Sequence, residues 1–143
     1  MEELNFKIKL LSNAVDTCPD LRILLDDKEY FSGTVFGEET VEFDAEVDKD
    51  FNLNVEFAGN DPKNYILDDN GIPTNSVSIQ VDEIHIDGID IKEIAYSLSQ
   101  FNIDPSEKYI EEYTIEQCMD FDFKGVWTLP IETPVYIWIL ENL

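Results

Sequence analysis

Residues 40–57 read TVEFDAEVDKDFNLNVEF, and this pattern decides the fold class. Val41, Phe43, Ala45 and Val47 alternate with Glu42, Asp44, Glu46 and Asp48. After a short break, Phe51, Leu53, Val55 and Phe57 alternate with Asn52, Asn54 and Glu56. A strict period of two marks strands with one buried and one wet face. Two such runs joined by Asp48-Lys49-Asp50 predict an antiparallel hairpin. The wet face is carboxylate and amide with almost no base, so the expectation is an acidic, all-β chain.

The flanking sequence extends this pattern. Leu4, Phe6, Ile8 and Leu10 alternate with Asn5, Lys7 and Lys9, which predicts a first strand. Leu21–Leu25 and 29–35 read as strands around the turn Asp26-Asp27-Lys28, and Gly33 and Gly37 punctuate the next connection. In VSIQVDEIHIDGIDI (77–91), Val77, Ile79 and Val81 share one face, whereas Ile84 and Ile86 fall on the opposite parity. A one-residue slip at Asp82-Glu83 predicts a β-bulge or a change of buried face, and Asp87-Gly88 ends the strand. Residues 91–101 are the helical candidate, with Ile91, Ile94, Ala95 and Leu98 at helical spacing and Asp90 placed to cap. Residues 109–123 lean towards strand. Residues 135–140, VYIWIL, are apolar on both faces and predict a strand that is central or covered by a partner. Seven to nine strands with one short helix make a mainly β protein, an antiparallel β-sandwich with jelly-roll-like or Greek-key connections.

The chain has 143 residues, the size of one domain, with 92–143 reading as a C-terminal extension used in assembly. It carries 9 Lys and Arg against 32 Asp and Glu, a formal net charge of −23. That field repels nucleic acids and anionic membranes and favours cations or a basic partner. No apolar run is long enough to span a bilayer, and the first residues, Met1-Glu-Glu-Leu-Asn, lack the pattern of a secretory signal. Cys18 and Cys118 read as idle or buried thiols, bridged only if the fold brings them together.

No catalytic set stands out. His85 is the one histidine, sits mid-strand in EIHIDG and reads as a wet-face residue. No Gly-rich phosphate loop, HExxH or GxSxG is present, so the expectation is a non-enzymatic chain. With 32 acids, a close carboxylate pair carries no signal without geometry. The long break at 58–76 has the composition of a functional loop. Its Asp61, Asp68, Asp69 and Asn70 supply hard oxygen donors suited to calcium, although the register and flanks exclude an EF-hand. The same Asx and Gly residues also serve plain turns. Trp127, Tyr136 and Trp138 are candidate binding aromatics, for sugar stacking or protein anchoring, with core filling as the alternative.

Three segments carry a family resemblance: LRILLDDKEYFSG (21–33), Phe57-Ala58-Gly59-Asn60-Asp61, and Val81-Asp82-Glu83-Ile84-His85-Ile86-Asp87-Gly88. Residues 21–91 thereby resemble the β-sandwich of small calcium-dependent xylan-binding carbohydrate modules. The resemblance implies that Asp61 is a calcium ligand and that Asp68 or Asp69 supplies a second carboxylate. Ser78 stands where that family often has an acid. In style, the acidic free-standing sandwich with its IDGI ending is also similar to accessory proteins of tailed-phage virions.

Taken together, the sequence points first to a structural or interaction module. It would assemble with protein partners or itself, in a virion or otherwise in the cytoplasm, using the segment 126–140. Removal of the residues after Pro134 should then leave the sandwich folded but unable to assemble. The alternative is a glycan-binding module using the 60–70 loop, with calcium as the one cofactor implied.

Overall fold

The structure, a computed structural model, describes residues 1–61, 63, 65–107 and 113–143. Two antiparallel sheets pack face to face. One contains β1 (Glu2–Ser12), β4 (Gly37–Val47), β6 (Ile79–Ile86), β7 (Ile89–Asp90) and β10 (Asp120–Phe121). Its order is β10-β6-β1-β4, with β7 also pairing β6. The other contains β2 (Leu21–Leu25), β3 (Lys28–Gly33), β5 (Phe51–Phe57), β8 (Gln100–Ile103), β9 (Thr114–Glu116) and β11 (Gly125–Ile131), in the order β3-β2-β5-β11-β8-β9. Helix α1 (Lys92–Leu98) packs on β6 and β11, and α2 (Val135–Asn142) ends the chain.

Alternation fills the core as predicted. Leu4, Phe6, Ile8 and Leu10 of β1 face Phe51, Leu53, Val55 and Phe57 of β5, all of them buried. Phe6 links the layers, stacking on Phe43 at 5.2 Å and meeting Phe51 edge-on at 6.1 Å between ring centroids. The phase slip at Asp82-Glu83 is a bulge: Lys9 pairs with Glu83 while Leu10 pairs with Val81, so Asp82 is the extra residue. The bulge gathers carboxylates around Lys9, whose ammonium lies 3.3–3.5 Å from Glu38, Asp82 and Glu83. The turn at Asp87-Gly88 has positive φ at both residues and folds β7 back on β6. Asp90 Oδ1 accepts the N–H of Lys92 at the start of α1, one position before the N-cap, which is Ile91.

Three expectations need correction. Residues 40–57 are not a hairpin: β4 pairs with β1, whereas β5 pairs with β2 and β11. Asp48-Lys49-Asp50 instead carries the chain across from one sheet to the other. Both arrangements bury the same alternate residues, so periodicity does not separate them. Residues 135–140 are not a strand but the first turns of α2, so the described residues hold two helices where one was expected. Val135, Trp138 and Ile139 are buried, while Tyr136, Ile137 and Leu140 face solvent. A short apolar run satisfies both periods, and here the i, i+3, i+4 set wins because it seats three large side chains against the sandwich. Burying Trp138 and Ile139 is worth about 1.5–3 kcal/mol each.

Several contacts tie down α2. The Val135 N–H donates to the Glu2 carboxylate at 3.1 Å, the Thr133 N–H donates to Asp50 at 2.8 Å, and the Tyr136 hydroxyl donates to Asp87. Cys18 and Cys118 are both free thiols. No helix is long and apolar enough to cross a membrane among the described residues.

Candidate functional site: a loop-end cleft

Two connections and a tight turn meet at one end of the sandwich: 13–20 between β1 and β2, 58–78 between β5 and β6, and 122–124 before β11. Their junction is held by close backbone approach. Gly59 has φ +78° and lies so near Lys124 that a Cβ there would stand 2.6 Å from the Lys124 nitrogen. Glycine is the residue that allows both features. The next residue, Asn60, ties the loop in place with its side-chain amide. It accepts the Val77 N–H at 2.8 Å and donates to the carbonyls of Val77 at 3.0 Å and Asp122 at 2.9 Å. Across the first connection, Asn13 accepts the Ser78 N–H and donates to the Ser76 carbonyl. The Ala58 N–H donates to the Asp20 carbonyl at 2.9 Å.

These ties leave two adjoining clefts. The larger, about 300 Å³, is lined by polar Asp20, Asn60, Asp61, Tyr65 and Asn75, with Cys18 on one wall. The second, about 270 Å³, shares Asp20 and Ala58 with it and continues past Arg22, Glu56, Lys124 and Val126. Its cations are already matched. Arg22 reaches Glu29 at 2.6 Å and Glu56 at 2.7 Å, and Lys124 lies 3.9 Å from Asp104. The Asp104 carboxyl is held below the usual carboxylate range, first by hydrogen bonds from Ser106 and then by the Lys124 charge. Among the described residues the Asp20 and Asp61 carboxylates have no ion-pair partner. The cleft is therefore polar, partly carboxylate and able to exchange hydrogen bonds with a hydroxyl-rich ligand, while the fields of Asp20 and Asp61 disfavour an anion.

The four candidate metal ligands do not converge. Asp61 lines the larger cleft, and its Oδ1 accepts the Lys63 N–H at 3.0 Å. Asp68 Oδ1 accepts the N–H groups of Asn70 and Ile72 at 2.8 and 2.9 Å, which is turn work. Asp69 and Asn70 are exposed in the turn of that excursion, whose sides are joined by a Leu67–Pro73 bridge. Calcium wants about six to eight oxygens in one place. Among the described residues no group of three carboxylate, His or Cys side chains is close enough to hold a metal. The donor set as placed does not fit calcium.

The aromatic candidates also separate. Trp127 is fully buried, and its Nε1 donates to the Cys118 carbonyl at 2.6 Å. Trp138 is 3% exposed. Neither indole offers a face to a ligand, because both fill the core. Tyr136 is about half exposed, but on α2, where it bonds Asp87. His85 is partly exposed on β6 opposite Lys7, with Nε2 3.6 Å from Glu83. Sequence reading singled out the 60–70 loop, which holds Asn60 and Tyr65, but gave neither residue a role and missed Asp20 and Asn75. Asp20 comes from a loop distant in the chain and Asn75 from the far end of the long loop, and both types are ordinary in a turn, so no spacing could have flagged these two.

No family model matches the chain, and no curated protein is similar to it. Two solved structures share its fold. One is the selenomethionine form of vCBM60, a structure tied to two families of calcium-dependent carbohydrate-binding modules related by circular permutation. It superposes with a TM-score of 0.55 at 10% identity, over 88% of this chain and 89% of that one. The other is vCBM60 in complex with galactobiose, with a TM-score of 0.54 at 12% identity, over 89% and 99%. At such identities the likeness is one of fold. The chain has the β-sandwich architecture of these carbohydrate-binding modules.

Proposed function

We propose that the chain is a non-enzymatic glycan-binding module whose ligand enters the loop-end cleft. The observation that carries this reading is the pair of adjoining clefts sharing the Asp20 and Ala58 wall, with Asn60, Asp61, Tyr65 and Asn75 among the residues that line the larger one. Neutral sugars are bound by such sets: hydroxyls pair with amides and carboxylates, and a ring face stacks on an aromatic. The galactobiose bound to vCBM60, on the same fold, supports a sugar as the ligand class. Because the donor set does not fit calcium, the binding groups in this reading are the side chains themselves.

The test is a neutral-glycan array followed by calorimetry on hits. Asp61→Ala and Tyr65→Ala should each weaken binding while the melting temperature stays close to that of the unaltered chain. An array without a hit overturns the reading. Assembly with protein partners, in a virion or elsewhere, has one favourable observation: the exposed row Tyr136, Ile137 and Leu140 on α2. Light scattering tests it, since a defined oligomer lost on Ile137→Ser/Leu140→Ser would support that reading.

A further inference from the structure

The outer face of the β3-β2-β5-β11-β8-β9 sheet departs from the character of this chain. Acids dominate the composition, yet six neutral polar side chains cluster on this face across four strands, Asn52, Asn54, Thr128, Gln100, Asn102 and Thr114, bounded by Glu116 opposite Gln100 at one edge and by the Arg22-paired Glu56 opposite Val126 at the cleft. All are exposed or half-buried. The register places them side by side: Asn54 opposite Thr128, Thr128 opposite Gln100, and Asn102 opposite Thr114. Hydrogen bonds hold them in position. The Thr128 hydroxyl donates to Asn54 at 2.8 Å and the Thr114 hydroxyl donates to Asn102 at 3.1 Å. The Asn102 oxygen also accepts from Gln100 Nε2 at 3.5 Å, so the bonds to Asn102 among the described residues engage its oxygen. The other sheet is the opposite in kind. Its outer face carries Lys9 among Glu38, Asp82 and Glu83, and Asn5 bonded to Glu42 and Asp44.

This neutral strip is continuous with the cleft. Val126 lines the second cleft and is the cross-strand partner of Asn102. From there the strip runs about 14 Å across four strands.

We infer that the strip is an extended binding platform for a neutral polysaccharide chain that leaves the cleft over Val126. The inference rests on the glycan reading above and makes the ligand a polymer rather than a terminal sugar. The chemistry selects that occupant. A uronic polymer or nucleic acid is repelled by the net charge of −23. A basic protein is drawn to the acidic sheet instead. A neutral protein partner wants aromatic or Arg anchors, and the strip has none. Uncharged hydroxyls match uncharged amides and hydroxyls one for one.

The test uses native gels cast with xylan, galactan, mannan or polygalacturonate, and calorimetry with the disaccharide of each neutral polymer. The proteins are the unaltered chain, Asp61→Ala, Asn102→Ala/Thr128→Ala and, to guard against misfolding, Asn102→Asp alone, each checked by thermal melting. One or more neutral polymers should retard the unaltered chain, and polygalacturonate should not. The double variant should bind that polymer roughly tenfold more weakly, the loss of two modest hydrogen-bonding groups, with disaccharide affinity unchanged. Asn102→Asp should weaken the polymer in the same direction. Equal binding of polymer and disaccharide, or a double variant that holds the polymer as well as the unaltered chain, overturns the platform and spares the cleft. No binding of any polymer or disaccharide overturns both. A dimer in light scattering that the double variant dissolves would assign the strip to a second copy and overturn the inference.

Discussion

Asn60 pairs with the backbone of Val77 as a neighbouring strand would, its amide oxygen accepting the Val77 N–H at 2.8 Å and its amide nitrogen donating to the Val77 carbonyl at 3.0 Å. One side chain thus replaces a missing ladder partner at the point where the long loop rejoins the sheet. The same nitrogen also holds the Asp122 carbonyl, so the cleft floor and the approach to β11 depend on a single amide.

Asn60→Ala should therefore cost about 1–3 kcal/mol, because the Val77 and Asp122 groups lose their partner in a half-buried place. Thermal unfolding measures this. Asn60→Asp should fall between the two, since it keeps the acceptor for the Val77 N–H and loses both donors. Glycan binding should fall with Asn60→Ala even at temperatures where the chain remains folded.

Gly59 and Gly71 separate two costs. Both have positive φ, +78° and +79°, but a Cβ at Gly59 meets Lys124 at 2.6 Å whereas one at Gly71 meets nothing within 4 Å. Gly71→Ala should cost about 1 kcal/mol, the left-handed penalty alone. Gly59→Ala should lower the melting point clearly further, because Lys124 backbone must also move.

Removing the residues after Pro134 should unfold the chain or bring it close to unfolding. The truncation deletes Val135, Trp138 and Ile139 from the core, and Trp138→Ala alone should cost about 3–5 kcal/mol. A truncated chain that melts like the full one in circular dichroism would show that α2 is dispensable to the sandwich.

Asp104 should link stability to pH. Hydrogen bonds from Ser106, aided by Lys124, hold its carboxyl below the usual carboxylate range in the folded state. A folded value below the unfolded one means stability that is complete above the unfolded value and is lost as pH falls through the folded value. Asp104→Asn should thus melt lower than the unaltered chain near about pH 7, and the gap should close in acid below the carboxylate range. A gap that persists there would assign the effect to something other than the charge.

Calcium and a chelator should leave the melting temperature alike. Asp68 spends its Oδ1 on the Asn70 and Ile72 amides, and Asp61 spends its own on Lys63. A rise on adding calcium, removed by Asp61→Ala, would show that these carboxylates rearrange to form a cage.

Sequence alone determined the alternating strands of the first ninety or so residues and which side of each is buried, but not β8, which lies partly within the expected helix 91–101, nor β11. Period two is a property of one strand, so the buried rows of β1 and β5 and the bulge at Asp82 could be read from parity without any partner. It also determined that few large side chains other than those in the core would find an apolar environment, since the acids fall on the alternate positions. The tertiary structure decided who pairs with whom. Alternation at Asp44 and Asn54 is equally satisfied by a hairpin and by a crossing between sheets, and long-range packing chose the crossing. It decided that Val135, Trp138 and Ile139 form a helical stripe, because a short apolar run fits both periods until something is there to cover it. It alone assembled the cleft and the neutral strip. Asp20 lies far in the chain from Asn60 and Tyr65, as Asn54 does from Asn102 and Thr128, and only sheet order brings them into reach of one ligand.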